Sequence, residues 1–337
     1  MTKRAALRST FRSGVLPALL LVALWGAFCA ASPQFGTPDN VARILAHASS
    51  NAITAIGMTF VLIAAGIDLS VGAVMLLAAA IGGQWLLGGG TTLVAAATMV
   101  VVGASWGAIA GTLITRLRMT PFIVTLALLF VGRGAGLWIT RTRPMALPDE
   151  FRVIGAETIA GIPIPIGIML IAVVLAHGVL TRTPFGRQLY AIGENARSAR
   201  EAGIDVTRNI VLAHTICGAF AALGGVITLS QLNAVSPSLG EGRELTAIAA
   251  AVLGGVSLFG GRGGALGAVL GAVFLQTIYS GLNALDADPS FDLEISEYAY
   301  PLVTSAIIFA AVMTDSMRTA WLDRGRRPLI RPGEVRS

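Results

Sequence analysis

The sequence predicts an all-α, polytopic membrane protein with about ten transmembrane helices, and three observations lead to this prediction. Hydrophobic residues make up 55% of the 337 positions and charged residues only 12%. Soluble domains carry about 25% charged residues, so this chain has too few to cover a soluble surface. The mean hydropathy is +0.76, and apolar runs long enough to cross a bilayer recur along the chain.

Candidate spans follow from the requirement for about 20 apolar residues per helix. They are residues 13–32, 46–66, 70–88, 91–115, 121–140, 163–180, 209–231, 244–259, 264–285 and 297–315. Only "GIDLS" separates the second from the third, and only "GGRGG" separates the eighth from the ninth. We therefore expect broken or re-entrant helices at these two points. The apolar run after residue 12 exceeds the roughly 7–15 residues of a signal-peptide core, so we interpret it as the first span.

The distribution of positive charge predicts that both termini are cytoplasmic. With residues 1–12 inside and the spans alternating, 18 of the 24 Lys and Arg residues fall on the inner side, as the positive-inside rule requires. Eleven of the 18 acidic residues fall outside. An eight-span topology satisfies the same bias. The predicted organisation is a transmembrane domain over residues 13–315 and a cytoplasmic tail over residues 316–337.

Two loops are long. Residues 141–162 predict a short amphipathic or irregular cap on the outer side. The cytoplasmic loop 181–208 is polar and basic, and its segment "GENARSAREAGID" predicts a short helix with Asn195 as N-cap and Gly203 as C-terminal stop. Such a helix either lies on anionic lipid headgroups or docks into a cytoplasmic partner.

The rare residue types exclude several functions. Lys3 is the only lysine, so the chain has no phosphate-binding P-loop, and any ATP must be hydrolysed by another chain. The three histidines and two cysteines show no metal-ligand spacing, and we expect no metal site. Serines, histidines and acids form no catalytic cluster, so we do not expect an enzyme.

The stretch "GIDLSVG" places a carboxylate, Asp68, between two apolar runs. A charge in hydrocarbon costs at least about 2.5–3.5 kcal/mol, so Asp68 must be satisfied or lie near water. Because Gly66 and Gly72 permit a helix break, Asp68 or Ser70 can accept hydrogen bonds from the N–H groups that open the next helix. Alternatively, the broken helix lines a translocation path or gate.

Two further charges raise the same alternatives. Arg133 stands 12 residues beyond Pro121, about 18 Å along its span. It either reaches the outer interface or an external acid, or it belongs to a pathway or gate. Glu244 opens the eighth span, where it either caps the helix beside Arg243 or contacts an entering solute.

Glycines spaced four residues apart predict close helix packing in two spans. They are Gly103, Gly107 and Gly111 in the fourth span and Gly263, Gly267 and Gly271 in the ninth. Packing within the chain and a dimer interface are the two interpretations. The two interrupted segments also resemble each other weakly, as broken helices do in the halves of many transporters.

Four blocks of the sequence resemble the successive signatures of bacterial ABC-type sugar importer permeases of the ribose, xylose and galactofuranose type. The blocks are "GMTFVLIAAGIDLSVGAV", "PFIVTLALLFVGRG", "FGRQLYAIGENARSAREAGI" and "ELTAIAAAVLGGVSLFGGRGGALGAVLGA". They occur in the family's order from about residue 42 to 315. The "GIDLSVG" block favours this branch over the related branched-chain amino acid permeases.

The resemblance implies a multi-pass subunit of the bacterial inner membrane that pairs with a second permease copy or a paralogue. An ABC ATPase carrying ATP and Mg would dock on the cytoplasmic face, and a periplasmic sugar-binding protein would deliver the solute. Membrane lipid surrounds such a chain, which binds no cofactor and no nucleic acid. The segment 193–205 resembles the family's coupling helix. The residues expected to couple to the ATPase are Gly193, Glu194, Asn195, Ala202 and Gly203.

The residues predicted to line the transport pathway or its gate are Asp68, Ser70, Arg133, Glu244, Thr246, Ser257 and Phe259. One of them departs from the family, which has a carboxylate where this chain has Thr246. If that position shapes the pathway, this chain prefers a different sugar or relies on its paired subunit.

We therefore predict the permease subunit of an ATP-driven importer for a monosaccharide or a similar polyol-like solute, which moves by alternating access. The alternative is a secondary transporter driven by an ion gradient. It would use Asp68 as its coupling carboxylate.

Overall fold

A computed structural model describes residues 3–286 and scattered positions between 302 and 313. The helices in this part of the chain are α1 (Lys3–Ala31), α2 (Pro38–Ile63), α3 (Val71–Leu87), α4 (Thr92–Arg116), α5 (Pro121–Thr140), α6 (Val153–Ala156), α7 (Ile164–Arg182), α8 (Pro184–Glu194), α9 (Ala196–Glu201), α10 (Val206–Leu232), α11 (Arg243–Leu253) and α12 (Ala265–Asp286). Most of the tenth predicted span and the whole predicted tail, 316–337, lie outside the described residues.

Two short antiparallel sheets complete the described fold. Strand β1 (Met145–Ala146) pairs with β4 (Ala234–Val235), and β2 (Thr158–Ile159) pairs with β3 (Ile162–Pro163). Together with the 3-10 helix Asp149–Arg152 and α6, these strands build the short irregular cap that was predicted for residues 141–162. A second 3-10 helix, Pro33–Gly36, joins α1 to α2.

Six helices of the described part are long and apolar enough to cross a membrane: α2, α4, α5, α7, α10 and α12. The apolar part of α1, Pro17–Ala31, and helix α3 are shorter.

The eighth predicted span, 244–259, is wrong as a single helix, because α11 has only 11 residues. At about 1.5 Å per residue it covers roughly half of a 30 Å hydrocarbon layer. The chain leaves the helix at Gly254 and Gly255, the latter with a φ of 88°.

Helix α2 lies at the centre of the bundle. All of its residues from Ala48 to Ile63 are buried, and it packs against α7, α10, α11 and α12. Several polar side chains in its middle bond within the protein, although the buried Asn51 Oδ1 has no hydrogen-bond partner in the described part of the chain. The hydroxyl of Ser50 donates to the carbonyl oxygen of Gly224 on α10 at 2.9 Å and lies 2.6 Å from the Thr228 hydroxyl oxygen. These hydrogen bonds join α2 to α10 directly, within the buried centre of the bundle.

The glycine face of α4 packs against α10, which confirms packing within the chain. A methyl group added at Gly103 would lie 2.5 Å from Ala222 Cβ, and one at Gly107 would lie 3.0 Å from Thr215 Cα and overlap a backbone carbonyl. Gly111 is equally crowded by the α10 backbone. Small residues thus let two helix backbones touch, as close packing in membranes requires.

The second glycine series packs α12 against α11. A methyl group at Gly267 would overlap the backbone of Gly254, and one at Gly271 would overlap the carbonyl group of Ala250. Gly263 does not belong to this face, because α12 begins only at Ala265 and Gly263 adopts a φ of 123° in the preceding loop. The predicted series of three is therefore a pair.

The two ends of the bundle are distinguishable. Helices α8 and α9 connect the end of α7 to the start of α10, and we call this end the loop side. The β1–β4 sheet follows α5 and α10 at the opposite end, the sheet side. Which side faces the cytoplasm stays a prediction from the charge bias.

We predict that Gly107→Ala lowers the thermal unfolding midpoint in detergent. The added methyl group must push α4 away from the α10 backbone, and overpacking of this kind costs about 1–3 kcal/mol. Gly178→Ala is the matched control, because Gly178 lies inside α7 with open space at its Cβ position. Alanine favours a helix over glycine by about 1 kcal/mol, so the control should be neutral or stabilising. Equal midpoints for both variants would contradict the packing argument.

Candidate functional site

The first break, residues 64–70, joins α2 to α3 without a helix. Asp68 lies in it with only 1% of its surface exposed. Its Oδ1 accepts hydrogen bonds from the backbone N–H of Ser70 at 2.8 Å and from the Ser70 hydroxyl at 2.7 Å. The carboxylate therefore closes a local turn before α3, whereas Ser70 makes no side-chain cap of its own. This geometry supports the capping interpretation of Asp68.

Neighbouring helices enclose the first break. The hydroxyl of Thr125 on α5 lies 3.3 Å from the carbonyl oxygen of Ile67. From α10, His214 faces the break, because a methyl group at Gly66 would lie 3.7 Å from its Cε1. Cys217 lies one turn further along α10 and is fully buried. The Asp68 turn is thus held among α5, α10 and the end of α2.

The start of α3 meets the segment 236–242, which we call the inward loop. A methyl group at Gly72 would overlap the carbonyl oxygen of Gly240 and lie 2.5 Å from Glu244 Oε2. Gly240 and Gly242 have φ values of 78° and 72°, which favour glycine. The Glu244 carboxylate therefore lies beside the first turn of α3, where a negative charge is favourable at the positive end of the helix dipole.

Arg133 binds the same loop from α5. Its Nη2 donates to the carbonyl oxygen of Pro237 at 3.2 Å and lies 3.3 Å from Glu241 Oε2. The Arg133 side chain is 22% exposed and that of Glu241 is 67% exposed. Arg133 therefore pairs with an acid, as one interpretation of the sequence held, and that acid belongs to a loop beside the other predicted pathway residues.

The inward loop carries residues that the sequence analysis missed. Glu241, Pro237 and Gly240 contribute as much to this arrangement as the residues that were predicted. Their signal is the run "SPSLGEG" immediately before the α11 block, which combines turn-forming residues with a carboxylate. Thr246, the predicted family departure, lies in the first turns of α11, half-buried, and its hydroxyl donates to the Arg243 carbonyl at 3.1 Å.

The structure separates the predicted pathway residues into two groups. Arg133, Glu244 and Thr246 gather at the inward loop, with Asp68 and Ser70 in the adjoining first break. Ser257 and Phe259 lie instead in the second break, residues 254–264, at the far end of α11. There the buried Ser257 hydroxyl accepts a hydrogen bond from the Phe259 N–H at 3.3 Å, while the Phe259 ring is exposed.

The predicted caps of the 181–208 loop are confirmed. Asn195 Oδ1 accepts hydrogen bonds from the N–H groups of Arg197 and Ser198, both at 3.0 Å, and so caps α9. Ala202 ends the helix, and Gly203 follows with a φ of 84° while its N–H bonds to the Arg200 carbonyl. All residues of α9 except Ala199 are exposed.

Gly193 and Glu194 lie at the base of this loop, and Gly193 faces inward. A methyl group at Gly193 would overlap the carbonyl oxygen of Ile63 and lie 2.5 Å from the Gly261 nitrogen. Asn195, Ala202 and Gly203 are exposed, as is Glu194. The five predicted coupling residues thus divide into four on the loop surface and one packed against both breaks.

Comparison with known proteins agrees with this architecture. Residues 40–314 match the family described as the permease component of the branched-chain amino acid transport system. The ribose import permease of Escherichia coli is 35% identical over 312 residues, which cover 91% of this chain and 94% of that protein.

Two other relatives import different solutes. The D-allose transport system permease of Escherichia coli is 35% identical over 88% of this chain and 89% of its own length. The autoinducer 2 import permease of Klebsiella pneumoniae is 40% identical over 77% of this chain and 75% of its own. No solved structure was found to match the chain. The family match and these identities show that the protein is a multi-pass membrane permease component and belongs to the branched-chain amino acid transport system permease family.

Proposed function

We propose that this chain is the membrane-spanning subunit of an ATP-driven importer in the bacterial inner membrane, and that it carries a monosaccharide or a similar polyol-like solute. The names of its relatives, which include permeases for ribose, allose and autoinducer 2, support a sugar-like solute. The structural observation that carries the proposal is α9, a short, capped and almost fully exposed helix at one end of an apolar bundle.

Helix α9 suits a docking element for an ABC ATPase. Its caps, Asn195 and Gly203, hold the helix without help from a large buried face, and its charged side chains point away from the bundle. ATP and Mg would be bound by that partner, because this chain lacks a P-loop lysine. A periplasmic binding protein would then dock on the sheet side, which the charge bias predicts to be external.

The exposed charge of Glu241 on the inward loop supports a second permease copy or a paralogue beside this one. Arg133 lies about 18 Å along the 30 Å of α5, and its partner Glu241 is 67% exposed. If α5 crosses the membrane as proposed, we infer that this pair lies at membrane depth. A charge exposed to lipid at that depth costs about 2.5–3.5 kcal/mol. We infer that this flank faces a water-filled path shared with the second subunit, and that Arg133, Glu241, Glu244 and Thr246 line it.

The ion-coupled alternative lacks support from the geometry. The only buried carboxylate of the first break, Asp68, accepts two hydrogen bonds from Ser70 through Oδ1, so it already has a structural role in closing the turn before α3. Family membership also favours a subunit driven by a partner.

The proposal as a whole is tested by gentle purification of the tagged protein from its native membrane. We expect an ABC ATPase chain to copurify at a constant ratio. We also expect liposomes that contain the complex and its binding protein to take up radiolabelled ribose or allose only when ATP is present on the ATPase side of the membrane. A preparation free of ATPase that accumulates solute along an ion gradient would refute the proposal.

We predict that Asn195→Ala weakens the association with the ATPase. Loss of the N-cap costs about 1 kcal/mol, which is large for a helix of six residues. Asn195→Asp keeps the acceptor oxygen and is the control. The measurement is the amount of ATPase that copurifies with each variant. Equal recovery with Asn195→Ala and with Asn195→Asp would show that α9 is not the docking element.

We predict that Arg133→Met lowers solute uptake at least about tenfold while insertion and ATPase copurification persist. A hydrogen bond made by a charged group contributes about 1.5–3 kcal/mol, and this substitution removes two contacts to the inward loop. Because Arg133 and Glu241 act as a pair, Glu241→Gln should add little to an Arg133→Met variant. Independent, additive losses would show that the pair is not the functional unit.

A further inference from the structure

Three segments of the backbone meet at one point on the loop side. They are the end of α8 at Gly193, the end of α2 at Ile63 and the second break at Gly261, and we call their meeting point the Gly193 contact. The N–H of Gly261 donates to the carbonyl oxygen of Ile63 at 2.9 Å. A methyl group at Gly193 would overlap that same oxygen and lie 2.5 Å from the Gly261 nitrogen. No side chain fits between the three segments.

Neighbouring groups extend this contact. A methyl group at Gly260 would lie 2.7 Å from Ala65 Cβ and 2.9 Å from the Gly193 carbonyl oxygen. The Tyr190 hydroxyl, one turn before Gly193 on α8, donates to the carbonyl oxygen of Gly263 at 2.8 Å. Helix α8 therefore contacts the second break at Gly261 and Gly263 and the end of α2 at Ile63.

The backbone at this point is unusual. Ala65, the second residue of the first break, has a φ of 59°, a left-handed conformation that costs an L-residue roughly 1–2 kcal/mol. Gly260 and Gly261 also have positive φ values, 87° and 72°. Non-glycine residues keep such conformations where the surrounding structure requires them, often in segments that move or bind.

Both breaks lead from the Gly193 contact to the inward loop. The first break runs from Ile63 to the start of α3, where Gly72 touches Gly240. On the other route, the 11-residue helix α11 joins the inward loop to the second break and carries Glu244 in its first turn. A displacement at the Gly193 contact can therefore reach the charged residues of the proposed path along two short routes.

We propose that the Gly193 contact transmits movement of α8 and α9 to both helix breaks, and that Gly193 is a positioning residue rather than a residue that binds the ATPase. This inference rests on the proposed function. It reassigns Gly193, because its Cα faces the interior of the bundle while Glu194, Asn195, Ala202 and Gly203 remain on the loop surface.

The test uses the complete transporter in liposomes and the variant Gly193→Ala, with Gly178→Ala as a matched control in open space. Cys217 supplies a reporter, because it is fully buried on α10, one turn from His214, which faces the first break. A Cys29→Ser background leaves Cys217 as the single thiol of the chain. The measurements are solute taken up per ATP hydrolysed, the ratio of copurified ATPase, and the rate of Cys217 modification by a small maleimide with and without ATP.

We expect Gly193→Ala to copurify with the ATPase at the control ratio, to lose at least about tenfold in solute per ATP, and to lose the ATP-dependent change in Cys217 modification that Gly178→Ala shows. Unchanged coupling and unchanged modification would overturn the inference. Loss of the ATPase from Gly193→Ala would also overturn it, in favour of a docking role. Failure of the unsubstituted chain to copurify with any ATPase would refute the proposed function itself.

A second variant keeps the test decisive if Gly193→Ala does not fold. Tyr190→Phe removes the hydrogen bond to Gly263 and keeps the ring. We expect it to insert normally, to retain the ATPase and to lower solute per ATP severalfold. Coupling equal to that of the unsubstituted chain would contradict transmission through the end of α8.

Discussion

The structure depends on one constraint, which is that backbone polar groups at membrane depth must find partners within the protein. Hydrocarbon offers no water to an exposed N–H or carbonyl group. This chain interrupts its helices twice, and the two interruptions satisfy each other through the hydrogen bond from Gly261 to Ile63. Within each break a polar side chain also closes a turn, Asp68 for Ser70 and Ser257 for Phe259. The first break is buried at Gly66, Asp68 and Ser70, and the two breaks meet at the Gly193 contact.

Glycine residues permit the close backbone contacts at three places in the bundle. Where α4 meets α10, where α11 meets α12 and where α8 meets both breaks, the contacts are between backbones, and a single methyl group would overlap a carbonyl oxygen. Apolar side chains have little drive to associate when lipid tails are as apolar as they are. Close packing of small residues replaces the hydrophobic effect as the source of specificity between these helices.

The charged residues Arg133, Glu241 and Glu244 lie together at the inward loop. Arg133 and Glu244 flank the inward loop, which carries Glu241 and passes from the β1–β4 sheet to the first turn of α3. The loop turns through the left-handed residues Gly240 and Gly242, which lie on either side of Glu241. The inward loop, the first break and the loop-side helices α8 and α9 are thus linked by successive backbone contacts.

Most helices and both polar breaks could be predicted from the amino-acid sequence, because both depend on local composition. Apolar length located α4, α5, α7, α10 and α12 within a few residues, and local hydrogen bonding made Asn195, Gly203 and the Asp68 turn predictable. Apolar length overestimated α11, since Gly254 and Gly255, which follow Leu253, were counted as part of an apolar run. Only the tertiary structure decided that Arg133 pairs with Glu241, that Ser257 lies away from Glu244, and that Gly193 faces inward. These contacts join residues far apart in the chain, and no local pattern encodes the distance between two backbones.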